Sequence, residues 1–430
     1  MRATIRVWML LGMVAILFGC GKAESHDPVR SAEEKITLRV FWWGGDFRNN
    51  ATIQAIEMYE KLNPNVNIEF EYTGFNEYWK KLAPYAAGNA LPDIMQMDVS
   101  YLAQYGSLDL LEDLTPYIQK GVIDASHISD NHLSGGKLGD RLFGLNLGVN
   151  ALYSVYDPEV FKLHDIAPPT EDWTWSDFEA MGEQLKGKGV YVGTDLTPEQ
   201  YFAYYLRQYG RTLFAADGTK LGYEDDGLFV DYFGRMQRMA KDRLIFSPDI
   251  WYSDVRLSDS DPFYTGGALL GWGYSNHFIT TVEKYGKPLQ LAPIPGPNRD
   301  QGMFLKPGMF FSVAKNSKHK EEAAKFISFF VNDLEANKVM KAERGVPVSA
   351  KVKDDLKPFL EPEQQQVFEY VEWVEEHSSP IDPPDPVGTG EVTAVLRNLY
   401  DLLLFDKITP QSAAVEFRLK ANAILARNMK

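Results

Sequence analysis

The sequence predicts an α/β protein in which helices cover a parallel β-sheet. Apolar and polar residues alternate along segments 36–42 and 66–72, and a third strand is expected at 92–97. The segments between them carry apolar residues at helical spacing, which gives the order strand–helix–strand–helix–strand. The chain has 430 residues, of which 45% are hydrophobic and 13% aromatic. That length and composition suit two or three domains of about 150 residues each.

Each of the first elements has its own local signal. Ile36, Leu38, Val40 and Trp42 alternate with polar neighbours, and a turn follows at residues 44–46. The first helix carries the apolar stripe Ala55, Met58, Tyr59 and Leu62, and it ends before Pro64, because a residue preceding proline is biased out of the α region. The second helix is expected near Glu77–Ala87. Further helices are expected at Ser176–Leu185, Pro198–Tyr209, Leu228–Lys241, Lys320–Met340, Gln364–Glu376 and Gln411–Asn428, and loops at 358–359 and 380–390.

Ligands of such sheets bind outside the carboxyl ends of the parallel strands. Trp42, Trp43 and Gly44 follow the first strand, Gly74, Phe75 and Tyr78 follow the second, and Asp98 and Tyr101 follow the third. The sequence therefore predicts a binding site at this edge.

The N-terminus has the pattern of an export signal. Arg2 and Arg6 precede an uncharged run over residues 7–18, which is too short to span a bilayer. Cys20 is the only cysteine, and Leu17–Cys20 resembles the lipobox of bacterial lipoproteins. This resemblance implies a signal peptide over 1–19, a lipidated Cys20, a flexible tether over 20–35, and anchoring at the outer face of the cell membrane, or in the periplasm of a host with two membranes. The alternative is an ordinary signal peptide with an incidental cysteine.

Composition and motifs exclude several classes of function. The net charge is −15, and −17 once Arg2 and Arg6 leave with the signal, so a nucleic-acid partner is not expected. The sequence contains no H-E-x-x-H motif, no G-x-S-x-G motif and no phosphate-binding loop. The acids Asp382 and Asp385 lack the pattern of a calcium loop and are expected to be solvated. No catalytic residue, metal or cofactor is therefore predicted.

Several segments, in order along the mature chain, resemble the extracellular solute-binding proteins of bacterial carbohydrate ABC importers. They are Thr37–Trp43 with Tyr59–Pro64, Gly88–Ile94, Leu142–Leu145 with Leu152-Tyr153, Phe161, Pro168–Thr170 and Trp173–Phe178, Gly266–Trp272, Ala292–Gly296, Ala323–Phe326 and Gly345–Val348. The Trp-Trp-Gly opening with Arg48 and Thr52 is closest to a branch associated with plant cell-wall oligosaccharides, including rhamnogalacturonan fragments. One departure is Tyr156-Asp157, where the family often has Tyr-Asn.

The resemblance implies a two-lobed periplasmic-binding-protein-like fold of type II, with the ligand in a cleft that closes by hinge bending. Residues 36–148 and 288–345 are expected to form the first lobe, and residues 149–287 and 346–430 the second. The implied partners are a carbohydrate and the membrane permease of an ABC importer, and a monomer is expected. The alternative is an exported, lipid-anchored lyase or glycosidase, since a glycosidase needs only two suitably spaced carboxylates.

Aromatic rings stack on the apolar face of a sugar, while charged and amide groups bond its hydroxyl rim. The predicted ligand-binding residues are Trp43, Arg48, Phe75, Tyr78, Asp98, Tyr101, Asn146, Trp251, Trp272, Tyr274 and Arg344. Trp272 lies between two glycines, which could let a ligand approach the backbone. The alternatives are core packing for Trp43, helix capping for Asp98 and a surface position for Arg344.

Arg48 suggests an acidic ligand such as a pectin fragment. It lies near the start of the first helix, where a uronate carboxylate would meet guanidinium donors and the positive end of the helix dipole. The alternative is that Arg48 pairs with a neighbouring acid.

Overall fold

Two main β-sheets organise the protein, and the computed structural model describes residues 35–194, 196–246 and 261–427. The strands are β1 Ile36–Trp43, β2 Val66–Thr73, β3 Ile94–Met97, β4 Lys137–Leu138, β5 Arg141–Leu142, β6 Leu145–Asn150, β7 Leu152–Tyr156, β8 Tyr191–Gly193, β9 Ala268–Tyr274, β10 Gln290–Ala292 and β11 Lys306–Val313. Strands β4 and β5 form a separate two-stranded sheet.

The helices cover both main sheets. They are α1 Asp46–Leu62, α2 Phe75–Ala87, α3 Val99–Ser107, α4 Thr115–Gln119, α5 Asp130–Ser134, α6 Pro158–Leu163, α7 Trp175–Leu185, α8 Pro198–Gln208, α9 Asp226–Lys241, α10 Phe278–Tyr285, α11 Arg299–Gly302, α12 Lys320–Asn332, α13 Leu334–Met340, α14 Ala350–Leu356, α15 Pro362–Glu376, α16 Thr389–Leu404 and α17 Pro410–Arg427. Short 3-10 helices lie at Pro262–Thr265, Ser275–His277 and Lys357–Phe359. Among the described residues, no helix has both the length and the apolar character needed to cross a membrane.

The first sheet has the strand order β2-β1-β3-β11-β6. Strand β1 pairs in parallel with β2 and β3, which confirms the predicted parallel arrangement for the first three strands. Strand β11 is antiparallel to both β3 and β6, so the complete sheet is mixed. The second sheet has the order β10-β7-β9-β8, with β7 antiparallel to both of its neighbours.

The chain crosses between the sheets three times. Ala151 alone joins β6 of the first sheet to β7 of the second, and residues 293–305 lead back from β10 to β11. Helix α14 packs against α13, which packs against α1 beside the first sheet, whereas α15 packs against α10 and β10 of the second. The points at which the chain passes between the two sheets therefore differ from the expected lobe boundaries. The chain returns to the first sheet after 292 rather than at 288, and leaves it after α14 rather than at 346.

The helices differ from the sequence prediction at several places, of which two are informative. The expected helix Lys320–Met340 is interrupted at Asp333, whose Oδ1 accepts a hydrogen bond of 2.9 Å from the backbone N of Ala336 and so caps a new helix. Helix α16 was not predicted, although Val392, Leu396, Leu399 and Leu403 are buried at helical spacing along it.

Candidate functional site

An aromatic cluster gathers at the carboxyl ends of the parallel strands, where the sequence places the site. Trp43 ends β1, and its ring lies 5.3 Å from that of Phe75 and 5.6 Å from that of Trp79. Tyr101 of α3 stacks on Trp79 with a centroid distance of 3.6 Å and an interplanar angle of 14°. Phe75 is 44% exposed, and Trp79 and Tyr101 are half-buried. These rings give the first lobe a surface on which a sugar face can stack.

Trp79 was not among the predicted residues. It lies one turn after Phe75 in α2, so the helical spacing of the two aromatic residues was the available signal. Its buried indole N–H has no hydrogen-bond partner among the described residues. An unsatisfied buried donor at a candidate site is a position that a ligand hydroxyl could fill.

Tyr78 belongs to the core rather than to the ligand surface, which corrects its assignment. The residue is 0% exposed, and its hydroxyl lies 2.7 Å from the carbonyl oxygen of Gln96 and 3.3 Å from that of Phe41. Burial raises the pKa of Tyr78 well above its ordinary value. Tyr78 therefore holds α2 against the sheet and supports its aromatic neighbours from behind.

Arg344 is also buried, at 4% exposure. Its Nη2 donates to Thr52 Oγ1 at 2.8 Å and to Gln96 Oε1 at 3.2 Å, and its guanidinium carbon lies 5.2 Å from the centroid of the Phe330 ring. Burial and the neighbouring charge of Arg48 lower the pKa of Arg344, whereas Glu343 raises it. These contacts give Arg344 a structural role beneath the site, and its predicted contact with a ligand stays a prediction.

Arg48 forms an ion pair with an acid, which agrees with the alternative interpretation of this residue. Its Nε donates to Glu343 Oε2 at 2.6 Å, and its Nη1 donates to the carbonyl oxygen of Trp43 at 3.1 Å. Gln96 Nε2 donates to the same carbonyl at 3.1 Å. The two donors fix the end of β1, and a ligand carboxylate would have to displace Glu343 to reach Arg48.

Asp98 and Asn146 occupy different environments. Asp98 is half-buried directly before α3, and its carbonyl oxygen accepts from the backbone N of Tyr101 and of Leu102 at 3.0 Å. Asn146 is buried in β6, where its Oδ1 accepts from the backbone N of Gly148 at 3.2 Å. Asp98 is thus at the edge that carries the aromatic cluster, whereas Asn146 is buried within the sheet, where its Nδ2 has no hydrogen-bond partner among the described residues.

Trp272 packs in the second lobe, and the glycines beside it have a different purpose from the one inferred. Its Nε1 donates to the carbonyl oxygen of Thr194 at 3.1 Å, and its ring lies parallel to that of Trp173, 6.4 Å away. A Cβ on Gly271 would lie 3.0 Å from Val155 Cγ1, and one on Gly273 would lie 3.0 Å from the hydroxyl of Tyr153. The glycines therefore accommodate neighbouring side chains rather than a ligand. Trp251, also predicted, lies outside the described residues.

Tyr274 ends β9 beside the first crossing, since it pairs with Leu152. Lys306 Nζ lies 4.5 Å from the centroid of the Tyr274 ring, a cation–π contact between the two sheets. Burial raises the pKa of Tyr274 to about 12, against a hydrogen bond with the Gln200 side chain, which lowers it.

Lys306 stands at the same edge of the first sheet as Asp98. It pairs with Asn150, and β11 runs antiparallel to β3 with Phe310 opposite Met97, so Lys306 lies beyond the carboxyl end of β3. Lys306 therefore connects the edge of the first sheet that carries the aromatic cluster with Tyr274 of the second sheet, and the region between them is the candidate interlobe cleft.

Asp385 and His277 both lie close enough to Lys306 to interact with it electrostatically, and they are candidates for the floor of this cleft. Both residues are exposed, yet burial by surrounding protein raises the pKa of Asp385 and lowers that of His277. Asp382 further raises the pKa of Asp385, while Lys306 lowers the pKa of both groups. Sequence reasoning missed Lys306 and His277 and treated Asp385 as a solvated loop acid, because nothing local links residues 277, 306 and 385.

The arrangement is suited to recognition. Aromatic faces lie on the first lobe, and Lys306 and Asp385, which interact electrostatically, provide charges of both signs. Among the described residues, no group of three or more His, Cys, Asp or Glu side chains could hold a metal ion.

Comparison with known proteins agrees with this geometry. The model of the bacterial extracellular solute-binding protein family matches residues 48–334. The arabinooligosaccharide-binding protein of Bacillus subtilis (strain 168) is 24% identical over 349 residues, which cover 77% of this chain and 76% of that protein.

Two solved structures share the fold. An extracellular solute-binding protein of family 1 from Alicyclobacillus acidocaldarius is 28% identical with a TM-score of 0.79, covering 92% of this chain and 100% of the other. A periplasmic oligogalacturonide-binding protein from Yersinia enterocolitica is 23% identical with a TM-score of 0.78 and the same coverage. The predicted two-lobed, periplasmic-binding-protein-like fold is confirmed.

The match also decides between the two functional classes that the sequence left open, a binding protein and an anchored carbohydrate-active enzyme. The matching family is that of the solute-binding proteins, so the protein is a solute-binding protein. With its fold, its cleft and a family match over more than half of its length, the chain belongs to the bacterial extracellular solute-binding proteins.

Proposed function

We propose that this protein captures an oligosaccharide in its interlobe cleft and delivers it to the membrane permease of an ABC importer. The observation that carries the proposal is the Lys306–Tyr274 contact, which joins the two lobes at the edge where Trp79 and Tyr101 stack. Rings on one lobe and hydrogen-bonding charges at the floor match the two chemical faces of a sugar. The relative that binds arabinooligosaccharides supports this class of ligand.

The charges favour a neutral plant cell-wall oligosaccharide over an acidic one. The Arg48 guanidinium is neutralised by Glu343 at 2.6 Å, and Lys306 faces the field of Asp385. A uronate would therefore find the Arg48 guanidinium already paired with Glu343, and the charge of Lys306 partly offset by Asp385. A pectic, acidic ligand is the second candidate, which the fold shared with the oligogalacturonide-binding protein favours.

We propose further that the mature protein is a monomer held at the outer face of the cell membrane by a lipid on Cys20, or in the periplasm of a two-membrane host. The support is the sequence alone: Leu17–Cys20 matches a lipobox, and residues 20–35 provide a tether. The anchor would keep the folded body close to the permease.

A ligand panel tests the proposed function. Thermal unfolding is followed with arabinotriose, neutral galacto- and gluco-oligosaccharides, and digalacturonic acid, and calorimetry gives the affinity of each hit. A ligand at 100 times its dissociation constant should add about 2.7 kcal/mol to the free energy of unfolding. Small-angle scattering at saturation should show a smaller radius of gyration if the lobes close. No stabilisation by any oligosaccharide would contradict the function, and an unchanged radius would contradict closure.

A further inference from the structure

Arg207 of α8 is a buried arginine, 6% exposed, that binds two separate segments of the chain at once. Its Nε donates to the carbonyl oxygen of Gly302 at 3.0 Å. Its Nη2 donates to Ser379 Oγ at 2.6 Å and to the carbonyl oxygen of Pro380 at 2.9 Å, and its Nη1 forms an ion pair with Asp382. All three nitrogens of the guanidinium are therefore used, and its planar fork directs each of them to a different group.

The two segments are also joined directly beside Arg207. The backbone N of Ser379 donates to the carbonyl oxygen of Met303 at 3.0 Å, and Ser379 Oγ donates to that of Gln301 at 2.8 Å. The Phe304 ring lies 5.1 Å from the guanidinium carbon. Residues 301–304 and 379–382 are therefore held as one unit around a buried charge.

Each segment leads to one charged residue of the cleft floor. Phe304 stands two positions before Lys306, within the crossing from the second sheet to the first. Asp382 stands three positions before Asp385, in the loop that precedes α16. Arg207 consequently holds the chain within four residues of Lys306 and within three residues of Asp385, without being next to either one in the sequence.

The energetics do not require an arginine at this position. Burial lowers the pKa of Arg207 and raises that of Asp382, against the attraction between the two groups. A buried ion pair can often be replaced by apolar side chains of similar volume without loss of stability. A charged fork that bonds two cleft segments is better explained by the geometry it imposes.

We propose that Arg207 is a positioning residue for ligand binding: it fixes the spacing of Lys306 and Asp385 in the cleft without touching the ligand. The inference rests on the proposed function, because it takes the cleft as the oligosaccharide site.

A double-mutant cycle tests this role. Arabinotriose, or digalacturonic acid if that is the panel member bound, is titrated by calorimetry into the unmodified protein, Arg207→Met, Asp385→Asn and the double variant. Arg207→Met should weaken binding about tenfold, the scale of a lost contact to a charged group. The double variant should bind within about twofold of Arg207→Met, because Asp385 loses its placement when Arg207 is removed.

Two further variants keep the test decisive. Arg235→Met removes another shielded arginine, on α9, whose Nε lies 2.8 Å from Oε1 of Glu179 on α7. This variant should leave the affinity unchanged. Asp382→Asn retains Arg207 and weakens only one of its contacts, so it supplies the measurement if Arg207→Met does not fold, with an expected weakening of about threefold.

The outcomes separate the two proposals. Failure of the unmodified protein to bind any panel member would overturn the proposed function and this inference with it. Binding by the unmodified protein, together with equal affinity in folded Arg207→Met or in Asp382→Asn, would overturn the positioning role alone. Independent, multiplicative losses in the double variant would do the same.

Discussion

Lys306 of the first sheet and Tyr274 of the second meet across the two lobes, with Lys306 Nζ 4.5 Å from the centroid of the tyrosine ring. Because the two residues are carried by different lobes, the distance between them depends on the angle at the crossings. We therefore expect this contact to respond both to ligand binding and to closure of the lobes.

Lys306→Met should weaken oligosaccharide binding about tenfold and change the melting temperature little, since the side chain is only half-buried. Tyr274→Phe is the matched control, because it retains the ring beneath the ammonium group and loses only the hydroxyl. Calorimetry on both variants checks the expectation. Affinity within twofold of the unmodified protein for Lys306→Met would place Lys306 outside the site.

Trp272→Ala should reduce the free energy of unfolding by about 3–5 kcal/mol, because it leaves a cavity among packed rings. Phe178 and Tyr201 lie 5.5 and 6.1 Å from the Trp272 ring, in addition to the parallel Trp173. Trp272→Phe should lose much less. Chemical denaturation measures both values. A Trp272→Ala variant that unfolds like its parent but binds sugar poorly would return Trp272 to the ligand surface.

The ion pair between Arg48 and Glu343 predicts the charge preference of the ligand. The unmodified protein should bind arabinotriose at least as tightly as digalacturonic acid in calorimetry. Glu343→Gln frees the guanidinium and should improve binding of the acidic sugar relative to the neutral one about threefold. Tighter binding of digalacturonic acid by the unmodified protein would establish an acidic ligand.

His132 should make the protein less stable in mild acid. It is buried, with Nδ1 3.2 Å from Ser129 Oγ and Nε2 3.6 Å from a Glu375 carboxylate that also pairs with Lys353 at 2.7 Å. Burial lowers the pKa of His132, Glu375 raises it and Lys353 lowers it, and the net shift is downward.

The sign of the effect follows from proton uptake. Below about pH 6.5 the unfolded chain protonates this histidine, whereas the folded protein does so only at lower pH, so the free energy of unfolding falls as the pH falls through that window. His132→Gln should flatten this slope in denaturation curves measured between about pH 7 and pH 5. His127→Gln, at an exposed histidine, is the control and should retain it. An unchanged slope in His132→Gln would show that other groups set the dependence.

Cys20→Ser tests the anchor, which lies outside the described residues. Without the thiol, lipid attachment is impossible, and the exported protein should stay unprocessed or appear in the soluble fraction. The mass of the N-terminal peptide measures processing, and cell fractionation measures the share of soluble protein. Processing and membrane partition identical to the parent would contradict the lipobox interpretation.

The periodic elements of this protein are largely determined by local sequence. Strands β1 and β2 and the helices from α7 to α9 were predictable, because their apolar residues recur with a period of 2 in strands and 3.6 in helices, which neighbouring positions of the sequence show directly. The same reasoning located Trp43, Phe75, Asp98 and Tyr101 at the carboxyl ends of strands, since that edge follows from the strand order.

The composition of the cleft floor was decided only by the tertiary structure. Lys306 reaches the edge beside Asp98 because β11 inserts antiparallel next to β3, and Asp385 reaches it on a loop held by Arg207. The sequence also could not show that Tyr78 and Arg344 point inward, or that the glycines beside Trp272 make room for Tyr153 and Val155. Such facts depend on contacts between segments far apart in the chain, for which a local periodicity carries no information.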